Sequence, residues 1–242
     1  MDFEVWAETD VGLKRKANED SILVDERLGL FVVADGMGGH KGGDVASNIA
    51  VRTAQEILHK RAEFGRISPE SLIRKIYKEA SARIYKKGHV DSPELKDMGT
   101  TMVLGILVRD QLYIGNVGDS RCYLYRNGNL WQLTVDHSFV HEQVRAGMIT
   151  EEEAETVAGK NVITKSVGYE ESVEPDIIVR TVRPNEQYLF CSDGLSGLVS
   201  GPDITKLFQA DKPSKFVAKS ISLAKKGGGD DNISSVLLRI LP

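Results

Sequence analysis

Between Leu28 and Ala34 the chain reads Leu-Gly-Leu-Phe-Val-Val-Ala, almost unbroken in apolar character, and then meets Asp35-Gly36. A run of that kind without polar alternation predicts a central strand buried on both faces. Such a strand requires covering layers above and below it. Asp-Gly is a turn signal, so the strand is expected to end there.

The neighbouring segments supply those layers. Phe3, Val5 and Ala7 alternate with polar residues, and Ser21 to Asp25 reads as a second short strand. Two amphipathic helices are expected next. The first has Asp44 as its N-cap and a stripe of Val45, Ile49, Thr53 and Ile57. The second opens at Ser68-Pro69, carries Leu72, Ile73, Ile76, Tyr77, Ala80 and Ile84, and is closed by Gly88. Strands return at Thr100 to Val108, Gln111 to Val117 and Arg121 to Arg126. Asn127-Gly128 then predicts a hairpin into Leu130 to Leu133. The stretch from Ser138 to Gly168 is polar and irregular, with a short helix expected at Thr150 to Val157. Ile177 to Val182 and Gln187 to Cys191 read as strands, Asp203 to Gln209 and Ser214 to Lys225 as helices, and Ile233 to Leu241 as a last strand. Strands and helices in segregated blocks predict an α+β layered domain with mainly antiparallel sheets. There is no internal repeat and no Pro/Ser/Gly-rich linker, so one domain over 1–242 is expected.

Bulk properties narrow the function. The 242 residues are 41% hydrophobic and 27% charged, with a net charge of −4 from 31 basic and 35 acidic residues. No stretch concentrates Lys and Arg, so no nucleic-acid footprint is visible. The longest apolar runs fall far short of the roughly 20 residues that span a bilayer, so no membrane insertion is expected. Asp2, Glu4, Glu8 and Asp10 give the N-terminus the wrong charge for a signal peptide. Cys122 and Cys191 lie in apolar runs and read as buried free thiols in a reducing compartment, the cytoplasm.

The aspartates carry the chemistry. Asp35, Asp119 and Asp193 each follow an apolar run, and Asp230 and Asp231 stand directly before Ile-Ser-Ser-Val-Leu-Leu preceded by Asn232. One Asp-Gly is usually only a turn, in which Asp bonds its own backbone. Several acids at buried strand ends can converge in one cleft, where they repel one another unless cations neutralise them. Oxygen ligands without a Cys or His cluster suit Mg²⁺ or Mn²⁺. Arg15, in Arg15-Lys16-Ala17-Asn18-Glu19-Asp20, has the planar fork that grips a phosphate. The plainer alternative is an exposed basic loop paired with Glu19 and Asp20.

Seven motifs in order resemble the PPM/PP2C family of metal-dependent protein phosphatases, especially its compact bacterial members. They are Arg15-x-x-Asn18-Glu19-Asp20, Val33 to His40, Gly99-Thr100-Thr101, Asn116 to Arg121, Asp136-His137-Ser138, Cys191 to Leu195 and Gly229 to Asn232. The resemblance implies a four-layer α-β-β-α sandwich of two antiparallel sheets flanked by helix pairs. It implies Mn²⁺ or Mg²⁺, two ions and a third as in bacterial members. Asp35 would bridge the first two, the Gly36 carbonyl contributing to one of them; Asp193 and Asp231 would complete the first site, and Asp119 with Asp193 would hold the third. Glu19 and Asp20 would act through waters, Arg15 would hold the substrate phosphate, and 138–168 would be a flap beside the substrate. A metal-bridging water would then attack phosphorus directly. Where animal relatives carry a general-acid histidine this chain has Met37, and His40 is the nearest substitute. His137 is a second candidate, with a hydrogen-bonded structural role as its plainer reading. Phosphorylated protein substrates and an opposing Ser/Thr kinase are implied as partners, and a monomer is the simplest state.

Other readings are weaker. Gly197 follows Cys191 and Gly128 follows Cys122 where a Cys-x5-Arg phosphatase needs Arg. There is no Gly-x4-Gly-Lys-Ser/Thr. A non-catalytic regulatory module that kept the fold, and a phosphoesterase for small molecules, remain as alternatives.

Overall fold

The computed structural model describes residues 1–38, 42–61, 67–154, 162–210 and 212–242. The chain begins with β1 (Phe3–Asp10), β2 (Asp20–Asp25) and β3 (Leu30–Met37), followed by helices α1 (Gly43–His59) and α2 (Pro69–Lys86). Then come β4 (Gly99–Thr100), β5 (Met102–Val108), β6 (Gln111–Val117), β7 (Arg121–Arg126) and β8 (Asn129–Gln132). Short helices α3 (Phe139–Arg145) and α4 (Glu151–Ala154) lead to β9 (Asp176–Thr181) and β10 (Gln187–Cys191). The chain closes with α5 (Asp193–Ser196), α6 (Gly201–Ala210), α7 (Pro213–Lys226) and β11 (Ile233–Ile240).

The strands form two sheets with antiparallel pairing, in the orders β1-β11-β10-β7-β8 and β2-β3-β5-β6-β9, with β4 beside β3. Three apolar clusters show how they stack. Val32 and Leu104 turn one face of the second sheet onto Ala50, Ile73 and Tyr77 of α1 and α2. Phe31 and Val33 turn the opposite face toward Phe190 and Val236 of the first sheet. Leu189 and Leu237 then pack on Phe208, Phe216 and Ile221 of α6 and α7. The predicted α-β-β-α sandwich is the fold observed. The strand predicted to be buried on both faces is β3, where Leu30 to Ala34 are wholly buried.

Three local expectations need correction. Asp35-Gly36 does not end the strand: β3 continues to Met37, pairing Gly36 with Thr100 and Met37 with Gly99. A side chain at Gly36 would put Cβ 2.1 Å from the Gly43 carbonyl oxygen, so this glycine serves a close backbone approach rather than a turn. The strand predicted from Thr100 to Val108 is interrupted at Thr101, which turns its side chain back onto β3. Asp44 is not the N-cap of α1. Gly42 holds that position, and Asp44 lies in the first turn, its carboxylate accepting from the Val45 N–H.

The Ser68-Pro69 start of α2 is as predicted, with the Ser68 hydroxyl accepting from the Ser71 N–H. Between 138 and 168 the sequence showed too little apolar periodicity to predict α3, and of the helix expected at 150–157 only 150–154 lie among the described residues, with Glu151–Ala154 helical. Both cysteines are buried and free.

Candidate metal centre

One end of the two-sheet stack gathers five carboxylates. Asp35 is fixed by its own backbone, whose N–H donates to Thr101 Oγ1 (3.0 Å) and whose carbonyl accepts from the Thr101 N–H (2.8 Å) and Thr100 Oγ1 (2.8 Å). Asp20 stands across the ladder from it. Its Oδ2 accepts from the hydroxyls of Ser192 (2.8 Å) and Ser234 (2.7 Å), which lie in the other sheet's strand ends. Asp193 opens α5, and Asp231 precedes β11. Asp119 follows Gly118 in the β6–β7 turn, where Gly118 takes φ +101° and its neighbour Ser120 shares a hydrogen bond with Thr101.

These groups act on one another. Burial, then the charges of Asp193 and Asp231, push Asp20 up to about 7 against the two serine donors. Burial and the charges of Asp193 and Asp136 push Asp119 up to about 7. Asp35 rises well above the carboxylate range, first from burial and then from Asp20, Asp193 and Asp119. Burial also raises Asp193, opposed by a hydrogen bond with Asp35 and the Arg15 charge. Each carboxylate disfavours the charged form of its neighbours. Among the described residues, no three His, Cys, Asp or Glu side chains close tightly around one point. The site nonetheless fits a divalent ion by its donors. Asp20 Oδ1 and Asp193 Oδ1 are buried oxygens with no hydrogen-bond partner, and every acid present is a hard oxygen ligand.

The other predicted residues divide by position. The Gly36 carbonyl lies on β3 beside Asp35. Glu19 reaches the start of α1, its Oε2 2.6 Å from where a Cβ on Gly43 would sit. Arg15 stays at the rim, half-exposed. It pairs not with Glu19 or Asp20 but with Asp231, Nη2 to Oδ2 at 2.7 Å. His40 lies outside the described residues. His137 follows its plainer reading: Nδ1 accepts from the Gly118 N–H (3.0 Å), and its backbone N–H donates to the Gly118 carbonyl (3.0 Å). Nε2 faces Asp176 at 3.3 Å, and burial lowers the imidazole's pKa. The ring is therefore neutral, with its proton on Nε2.

Sequence reasoning gave no role to several contributors, although Thr101, Arg121, Asp136 and Ser192 stand inside its motifs. Thr101, Ser192 and Ser234 brace the carboxylates, and Asp136 receives Arg121 through three guanidinium contacts of 2.6–3.1 Å. Ser234, outside every motif, could have been signalled only as a buried polar residue inside the apolar run of β11. Beside the carboxylates opens a cavity of about 800 Å³, with Asp119 and Asp193 on its floor and Val140, His141 and Val144 of α3 on its wall.

The sequence profile described as Protein phosphatase 2C matches residues 14–237. A serine/threonine phosphatase, stp, of Listeria monocytogenes is 37% identical over 241 residues, covering 95% of this chain and 93% of that protein. The catalytic domain of the phosphatase PstP, solved with two manganese ions, superposes with a TM-score of 0.87 at 32% identity, over 99% of both chains. The phosphatase Stp1 of Staphylococcus aureus superposes with a TM-score of 0.88 at 32% identity, over 100% of this chain and 96% of that one. With the fold, the order of the motifs and these relatives in agreement, the chain belongs to the protein phosphatase 2C family of metal-dependent protein phosphatases.

Proposed function

We propose that this chain removes phosphate from phosphoserine and phosphothreonine in proteins, using two or three Mn²⁺ or Mg²⁺ ions held by Asp35, the Gly36 carbonyl, Asp119, Asp193 and Asp231. The observation that carries this reading is the convergence of mutually repelling carboxylates, two with buried oxygens that lack any hydrogen-bond partner. Divalent cations there would supply a water of lowered pKa and neutralise charge on the phosphoryl oxygens.

The chain's own groups do the rest. Arg15 offers a guanidinium at the rim that can grip two phosphate oxygens and stabilise charge that grows as the ester bond breaks. Asp20 and Glu19 would hold waters bound to such ions. The segment 138–168 serves as a flap bordering the cleft, and the whole of 1–242 works as one phosphatase domain. The substrates are phosphorylated proteins, with an opposing Ser/Thr kinase as partner. The protein acts as a monomer in the cytoplasm, without nucleic acid or membrane insertion. No described helix is long and apolar enough to cross a membrane.

The test is phosphate release from a phosphothreonine peptide with Mn²⁺, with EDTA, and with Asp193→Asn, alongside a panel of phosphometabolites. Turnover of the peptide that needs Mn²⁺ and is lost in both controls is expected. Turnover confined to phosphometabolites, or none by folded protein supplied with Mn²⁺, would overturn the reading.

A further inference from the structure

Asn232 is buried, 3% exposed, and every polar atom of its side chain is engaged with backbone from a distant part of the chain. Its Oδ1 accepts from the Glu19 N–H (2.8 Å), while Nδ2 donates to the carbonyls of Val11 (3.0 Å) and Ala17 (3.0 Å). These three contacts bracket the loop that carries Arg15, holding it at its start, near its end and at the residue before β2. The rest of the loop is tied to the same short segment. The Leu13 N–H donates to the Gly229 carbonyl at 2.7 Å, and a Cβ on Gly12 would lie 2.2 Å from the Asp231 carbonyl oxygen.

Asn232 is also fixed from its own side. Its N–H donates to Asp231 Oδ1 (2.8 Å), and its carbonyl oxygen would lie 2.0 Å from a Cβ on Gly194, next to Asp193. An amide has two donor hydrogens and one acceptor oxygen in a fixed plane, so three backbone partners define a single placement. Removing it would take away the partner that the Val11 and Ala17 carbonyls and the Glu19 N–H share, releasing at once three ties on a loop whose drift moves Arg15 directly.

We infer that Asn232 is a positioning residue for phosphate binding: it locks the Arg15 loop to the Asp231 segment, so that the guanidinium stands at a fixed distance from the carboxylate cleft. This rests on the proposed role of Arg15. Asn232 touches neither substrate nor ion; it acts through the loop. The angstrom-scale placement of a phosphate-gripping fork governs binding more than any contact Asn232 makes itself.

A double-mutant cycle on the intact chain with Mn²⁺ tests it, using Arg15→Ala, Asn232→Ala and the pairs. Asn232→Asp is the second variant, because it keeps the volume and the Glu19 acceptor while losing both donations. Readouts are KM and kcat for a phosphothreonine peptide, Ki for inorganic phosphate, and the Mn²⁺ titration. Loss of one charge-assisted bidentate contact predicts about a 10- to 100-fold rise in KM and Ki for Arg15→Ala. The Asn232 variants should raise both about ten-fold, leave kcat and Mn²⁺ affinity within about three-fold, and add less than about two-fold when Arg15 is already Ala. Equal multiplication of KM in both backgrounds, or a fall in Mn²⁺ affinity without a change in Ki, would overturn the inference about Asn232 alone. An unchanged KM and Ki in Arg15→Ala would instead overturn the reading of Arg15, and this inference with it.

Discussion

At the Arg15 end of the cleft one neutral amide holds a loop by three hydrogen bonds to backbone, whereas at the Asp119 end charged and ring side chains do the holding. There Arg121 grips Asp136, Gln132 donates to the same carboxylate (2.9 Å), and His137 clamps the Gly118 peptide beside Asp119. The His137 carbonyl also accepts from the Thr164 N–H, so the clamp joins both roots of the 138–168 segment. The difference teaches what each end can tolerate. Loss of a neutral amide leaves modest orphan groups, while loss of one member of a mostly buried ion pair leaves an uncompensated charge.

The largest effect is therefore expected at the Asp119 end. Arg121→Ala strands Asp136, only a tenth of whose side chain is exposed. Its cost should be about 3 kcal/mol, at the lower end for a broken buried pair because Arg121 keeps an edge in solvent. Urea unfolding with Mn²⁺ absent checks this. A change below about 1 kcal/mol would erase the contrast between the two ends. The smallest effect is expected at Lys14, whose pair with Asp230 (2.7 Å) is more than half-exposed on both sides. Lys14→Ala should shift stability by less than about 0.5 kcal/mol and leave phosphatase activity unchanged. A clear loss of activity would show that this surface pair, rather than Asn232, fixes the Arg15 loop.

The layered fold was readable because its signals are local: continuous apolar strands, two helical stripes and an Asn-Gly hairpin each declare themselves within ten to twenty residues. The acids were readable for the same reason, as polar interruptions in apolar runs. What escaped was whatever depends on partners far along the chain. The plainer alternative for Arg15 paired its loop with Glu19 and Asp20 nearby in sequence, but its partner is Asp231, 216 residues away. Asp35-Gly36 read as a turn because the Gly43 carbonyl that crowds Gly36 belongs to a helix start not predictable as its neighbour. The same limit hid the role of Asn232, named only within a motif, whose amide is spent on residues more than 200 positions earlier.

The central claim is that the carboxylates form a divalent-cation site, and calorimetric titration of the intact chain with Mn²⁺ tests it most directly. At about pH 7.5 the account predicts two or more ions per chain, and Asp35→Asn should bind fewer while remaining folded. Asp20 and Asp119, held to about 7, take up protons as the pH falls, and protons compete with cations. Binding should therefore weaken at least about ten-fold by pH 5.5. A chain that binds no Mn²⁺ at pH 7.5, or an Asp35→Asn variant that binds the same number of ions with the same affinity, would contradict the account.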